Sequence, residues 1–121
     1  MAYDINNIFA RILRGEIPNK TVTETAHTLA FHDINPHAPI HILVIPKGAY
    51  VTAGDFYANA TDAEIADFSR VVAQIIAEQK LEDTGYRLIA NAGQNGGQEV
   101  PHYHMHILGG RALGRMVAKA E

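Results

Sequence analysis

The chemically informative stretch of this chain is His102-Tyr103-His104-Met105-His106-Ile107-Leu108. In an extended strand, alternate side chains point to opposite faces. The three imidazoles at 102, 104 and 106 then share one face, and Tyr103, Met105 and Ile107 share the other. The apolar face can pack on a helix, which leaves the histidine face to line a polar cleft. Two chemistries fit such a row. Neutral imidazole is a common zinc ligand, so the face can hold a metal. Alternatively, one ring attacks phosphorus while its neighbours donate hydrogen bonds and orient it. The competing bland reading is a solvent-exposed strand that happens to carry histidines, and a period of two kept over three of them speaks against it.

The segment before the strand separates the two chemistries. Gly93, Gly96 and Gly97 lie in a glycine-rich loop over residues 92–98. Glycine lets backbone approach a ligand closely and aim N–H groups at an anion, and Gln98 adds an amide donor at the mouth of the cleft. Donors without fixed charge suit a phosphate whose charge changes during reaction. A loop of this kind joined to a three-histidine strand points to phosphorus rather than to a metal.

The elements that must hold these residues are legible around them. Residues 6–15 read as a short helix, with Ile8, Phe9, Ile12 and Leu13 at helical spacing and Gly15 at its end. Pro18 follows, and short strands are expected at 20–24 and 28–33 with a turn between them. Pro36 and Pro39 bracket a loop before Ile42-Leu43-Val44-Ile45, a continuous apolar run stopped by Pro46 that predicts a buried central strand. The spacing over 61–80 predicts the longest helix: Thr61 caps it, Glu64 completes a capping box, and Ile65, Phe68, Val72, Ile75 and Ile76 form one stripe. Strands are expected at 85–90 and 101–109. The fold class is therefore α+β, an antiparallel sheet packed against one long helix and a short N-terminal helix.

Composition narrows the setting. A chain of 121 residues fits one domain with a real core. A net charge of −3 offers no global field for nucleic acid or an anionic membrane, so any phosphate must be held by local donors. With no cysteine, disulfides and thiolate zinc sites are excluded, which agrees with a reducing, cytoplasmic setting. Residues 1–7 contain Asp4 and lack the pattern of a signal peptide, and no stretch is long enough to span a bilayer.

Residues 102–108 match in full the His-φ-His-φ-His-φ-φ signature, with φ apolar, of the histidine triad (HIT) superfamily, which this chain resembles. The wider likeness is to its Hint branch, the histidine triad nucleotide-binding proteins, in their bacterial form. It runs through IFARILRGEIP at 8–18, AFHDINPHAPIHILVIPK at 30–47, GYRLIAN at 85–91 and GGQEVPHYHMHILGGR at 96–111. The expected organisation is one HIT domain over 1–121, with a family core at about 6–111 and a divergent tail at 112–121.

The resemblance implies a HIT-like fold, a homodimer whose subunits join their sheets, and no cofactor or required metal. It implies hydrolysis of purine nucleoside 5′-phosphoramidates of the AMP-lysine or acyl-adenylate type through a nucleotidyl–histidine intermediate. By position, His104 matches the nucleophile, and His106 the residue that bonds the phosphoryl oxygens or leaving group. His102 and His41 match the histidines that orient the nucleophile and complete its proton network. Asp33 matches the carboxylate on the ribose hydroxyls, and Asn91 and Gln98 the polar groups around sugar, phosphate and leaving group. Ile17, Phe31 and Ile34 match apolar walls of the purine pocket. His27, His32 and His37 read as loop or surface residues, with His37 within reach of the cleft.

Three departures stand out. Glu99 occupies a phosphate-contacting position where many animal relatives carry serine; three readings stay open, that its carboxylate repels phosphate, faces away from it, or meets a cationic leaving group. Asn7 and Ala10 stand where some relatives place two zinc-binding cysteines. The tail from Ala112 to Glu121 lacks the aromatic residue found near the end of some Hint proteins. The alternatives are a dinucleoside polyphosphate hydrolase, a nucleotide-binding interaction module with incidental hydrolysis, and a metalloprotein built on the three-histidine face.

Overall fold

A computed structural model describes residues 2–118. Its elements run α1 (Ile8–Leu13), β1 (Thr21–Glu24), β2 (Thr28–His32), β3 (Ile40–Pro46), α2 (Ala53–Asn59), α3 (Asp62–Glu78), α4 (Leu81–Thr84), β4 (Tyr86–Ile89), α5 (Gly93–Gly96) and β5 (Met105–Gly109). The strands form one antiparallel sheet in the order β1-β2-β3-β5-β4.

The two helices expected from sequence form, over Ile8–Leu13 within the expected 6–15 and over Asp62–Glu78 within the expected 61–80. Asn7 caps α1: its Oδ1 accepts the Ala10 N–H at 2.8 Å, and its Nδ2 donates to the Asp4 carbonyl at 2.7 Å. Where some relatives carry cysteines, this chain therefore ties Asn7 to Ala10 by a helix cap. Thr61 and Glu64 close a reciprocal capping box on α3.

Each face of the sheet buries its own cluster. Ile42, Val44, Ile107 and Tyr103 face α3 and pack with Phe56, Phe68, Val72 and Ile75. Leu29, Phe31, Leu43 and Ile45 face the other way and pack under Phe9 and Ile12 of α1. Burial on both faces explains why β3 reads as an unbroken apolar run. Tyr103 is fully buried between Phe56 and Phe68, stacked at 5.2 Å from each ring.

The structure corrects the expected strand at 101–109, because β5 begins only at Met105. Residues 101–104 leave the ladder, with Tyr103 N–H donating to the Tyr50 carbonyl at 2.7 Å. Side-chain alternation nevertheless persists, so Tyr103 faces α3 while His102 and His104 face Phe9 of α1. The loop at 92–98 contains one helical turn, α5, ended by Gly97 at φ +69°, a conformation that glycine adopts without strain. Helix α2 gave no signal because it is seven residues long and buries one of them, Phe56. Among the described residues no helix is long and apolar enough to cross a membrane.

Candidate active site

A cleft of about 250 Å³ opens on the α1 side of the sheet, lined among others by Phe9, His37, His41, Asn91, Gln98, Glu99, His104 and His106. Its imidazoles come from β3, β5 and the segments that precede them. His41 of β3 and His106 of β5 are offset by two residues on one face, since His41 pairs with Leu108 and Leu43 with His106. His104 sits just before β5 with its ring edge-on to Phe9 at 4.9 Å. The rings of His104 and His106 lie 5.1 Å apart, those of His106 and His41 5.2 Å, and those of His41 and His37 5.6 Å.

Fixed backbone partners determine the tautomer of each ring. His104 Nδ1 lies 2.7 Å from the His102 carbonyl oxygen, which only accepts. Nδ1 therefore carries the hydrogen, and the Nε2 lone pair is left free. His41 Nδ1 accepts the backbone N–H of His37 at 3.0 Å, so the His41 hydrogen is on Nε2. That Nε2–H donates to His106 Nδ1 at 2.9 Å, which puts the His106 hydrogen on its own Nε2. One ring thus offers a lone pair and its neighbour an N–H.

Burial disfavours the charged form of His104, His106 and His41. His104 is 6 % exposed, and its pKa is lowered chiefly by desolvation, with the His102 carbonyl and the Asp33 and Glu99 charges partly offsetting the effect. His106 is pushed down to about 4 by burial and by the neighbouring His104 and His41. Burial also lowers His41, against the pull of Asp33.

His102 departs from the expected arrangement. It is completely buried and does not line the cleft; its ring Nε2–H donates to the Pro46 carbonyl at 2.8 Å. What reaches the His104 ring is the backbone carbonyl of His102, not its imidazole. The reason is the early end of the ladder, which turns residue 102 under α1.

The remaining expected residues divide. Asn91 and Glu99 line the cleft. Gln98 also lines it, but both of its amide hydrogens are engaged, on the Val51 carbonyl at 2.6 Å and the Val100 carbonyl at 3.0 Å. Its expected donor role is corrected accordingly: the amide staples the 93–98 loop, whose Gly93 N–H bonds its Oε1. Asp33 and Ile34 belong to an adjoining groove of about 590 Å³ that shares His41 with the cleft. Asp33 Oδ1 accepts the Asn35 N–H at 2.8 Å, and Oδ2 lies 3.4 Å from His41 Nε2. Ile34 is 82 % exposed, whereas Phe31 is buried edge-on to Phe9 and Ile17 packs against the α1-side core. Phe31 thus lies against Phe9, whose ring lines the cleft.

Sequence reasoning did not find Phe9 or the His37 backbone as parts of the site. Phe9 reads as one more member of an apolar stripe, and a backbone N–H carries no residue signature. The atoms of Asp33, His41 and His106 lie within 4.8 Å of one another, close enough for a cation. Here the His41 and His106 nitrogens concerned bond each other directly.

Residues 14–113 match the family model described as the HIT domain. The chain is 59% identical over 117 residues to an uncharacterised 13.2 kDa HIT-like protein of Azospirillum brasilense, covering 97% of this chain and 96% of that one. It is 45% identical over 111 residues to the purine nucleoside phosphoramidase of Escherichia coli K12, covering 92% of each. The solved structure of a HIT family hydrolase from Legionella pneumophila superposes with a TM-score of 0.79 at 39% identity, over 90% of this chain and 96% of that one.

Proposed function

The chain belongs to the HIT domain family, whose relatives here include hydrolases, and we propose that it hydrolyses purine nucleoside 5′-phosphoramidates through a nucleotidyl intermediate on His104. The observation that carries this reading is the bond from His104 Nδ1–H to the His102 carbonyl, which leaves Nε2 a free base facing the cleft. The 45% identity to a protein named purine nucleoside phosphoramidase supports the substrate class.

In the first step the His104 Nε2 lone pair attacks the α-phosphorus; an N–P bond forms, and the bond to the amine leaving group breaks. Splitting one displacement into two easier ones is the gain of covalent catalysis. His106 presents its Nε2–H to a phosphoryl oxygen. The neutral row accepts the substrate's negative charge without a fixed cation. An anion beside these imidazoles raises their pKa, so the His41–His106 pair takes up a proton as substrate binds and gives it to the departing nitrogen. In the second step water attacks phosphorus and gives its proton to the His41–His106 pair that lost one in the first step, the N–P bond breaks to restore the free His104 Nε2, and the nucleoside monophosphate leaves.

The adjoining groove suits the nucleoside. The Asp33 carboxylate lies beside His41, where it can accept from ribose hydroxyls, and exposed Ile34 offers an apolar face to the base. Asn91 lines the cleft, where its amide is available to the phosphate or the sugar. Glu99 at the cleft rim favours an amine leaving group over a polyphosphate, whose negative charge it repels. The partner is a second copy of the chain, joined along β4, an edge strand that leaves Tyr86 and Leu88 exposed.

Parallel turnover of an adenosine 5′-phosphoramidate and a diadenosine polyphosphate tests the reading. The phosphoramidate is expected to have the higher kcat/KM, and the reverse order would move the chain to the polyphosphate-cleaving reading.

A further inference from the structure

The hydroxyl of Tyr3 lies 2.6 Å from Nδ1 of His102, a contact between residues 99 apart in sequence. The two rings meet edge to face with centroids 5.6 Å apart. His102 Nε2 carries its ring's hydrogen, because it donates to the Pro46 carbonyl at 2.8 Å. Nδ1 is therefore an acceptor, and Tyr3 is its donor. His102 is completely buried, so removal of that hydroxyl leaves an unsatisfied nitrogen in the interior.

The His102 ring is thus gripped at both nitrogens, from the end of β3 on one side and from the segment preceding α1 on the other. Its backbone is held as well, with His102 N–H donating to the Val100 carbonyl at 2.8 Å. The remaining polar group of the residue is the carbonyl that accepts His104 Nδ1–H at 2.7 Å. This stretch lies outside the sheet ladder, which begins at Met105, so the His102–Tyr103 peptide is held by the Tyr103 N–H bond to the Tyr50 carbonyl at 2.7 Å and by what grips the His102 ring.

We propose that Tyr3 is a positioning residue for the nucleophile: by locking the His102 ring, its hydroxyl keeps the His102 carbonyl where it holds His104 in the Nδ1–H form with Nε2 free. An imidazole without a fixed acceptor distributes its hydrogen over both nitrogens, and the Nε2–H form has no lone pair to offer phosphorus. The inference rests on the reading of His104 as nucleophile given above.

Tyr3→Phe keeps the ring and its edge contact and removes only the hydroxyl. With an adenosine 5′-phosphoramidate as probe, kcat is expected to fall about tenfold at nearly unchanged KM, the effect of one hydrogen bond of roughly 1.4 kcal/mol. Long-range ¹H–¹⁵N spectra of the histidine rings are expected to show His104 passing from a pure Nδ1–H pattern to an averaged one. Tyr3→Leu should reproduce the spectral change. If Tyr3→Phe merely lowers the melting temperature, with kcat and the His104 spectrum unchanged, Tyr3 is only an anchor and the proposal fails. The spectra need no substrate, so a wild-type protein inert toward the probe overturns the functional reading while the spectra still decide the role of Tyr3.

Discussion

The Nδ1 of His104 and the carbonyl oxygen of His102 are 2.7 Å apart, and this contact decides which nitrogen of the His104 ring keeps its lone pair. A carbonyl cannot donate, so the hydrogen stays on the inner nitrogen and the lone pair faces the cleft. The same logic runs along His37, His41 and His106 and ends with an N–H at His106. Two adjacent imidazoles of opposite hydrogen-bonding character are what a displacement at phosphorus requires: one attacks while the other supports the oxygen that gains charge.

On the proposed mechanism His41 acts through this hydrogen-bond relay. His41→Phe removes the donor to His106 Nδ1 and releases the His106 hydrogen to either nitrogen. We expect kcat/KM to fall roughly 10²-fold, the scale of a lost acid–base partner. His41→Gln, which retains N–H donors, should restore part of the loss. Wild-type kinetics for His41→Phe would remove the relay from the mechanism.

The pH profile follows from the burial of His104. Attack needs the neutral ring, and burial lowers its pKa below the ordinary 6.5. As pH falls, the lone pair is lost only when the folded-state value is crossed, so the acid limb of kcat/KM has its midpoint below 6.5. Glu99 raises the His104 pKa, and Glu99→Gln should move that limb further toward acid. A limb centred above 6.5, or one that Glu99→Gln shifts toward alkali, would show that another group controls the rate.

Stability carries a matching signature at His102. Its pKa drops from 6.5 in the unfolded chain to about 4 in the fold, with burial as the main cause. Above 6.5 the ring is neutral in both states and folding incurs no penalty. Between 6.5 and about 4 the unfolded chain binds a proton that the folded one excludes, so stability declines as pH falls through that window. The full loss from this ring is on the order of 3 kcal/mol. Urea titrations across the window should show the decline, with a shallower slope for His102→Gln. An identical slope in the variant would remove His102 as the source.

Much of the fold could be read from residue patterns because it rests on local rules. Thr61 and Glu64 announce the start of α3, and the unbroken Ile42–Ile45 run announces a strand covered on both faces. The row at 102, 104 and 106 identifies the face carrying the chemistry, since side-chain alternation survives the loss of the ladder before Met105. What sequence could not show was depth. His102 has the same residue type and spacing as its neighbours, yet it lies beneath α1, because where a ladder ends depends on partners elsewhere in the chain. Gln98 looks like a free donor until the carbonyls of Val51 and Val100 are seen beside it. Phe31, two residues before Asp33 in sequence, is buried because β2 turns it toward Phe9 while Asp33 has already left the strand. Tyr3 carries no motif at all, and its role emerges only once residues 3 and 102 are placed side by side.

The most direct test is to catch the intermediate. An adenosine 5′-phosphoramidate with a slow second step is mixed with the enzyme, quenched under conditions that preserve N–P bonds, and mapped by peptide mass spectrometry. The expected result is one nucleotidyl group on the peptide containing residues 102–106, assigned to His104 by fragmentation and absent from His104→Ala. Turnover that continues in His104→Ala, or a nucleotidyl group carried on any other residue, would contradict the assignment of His104 as the nucleophile.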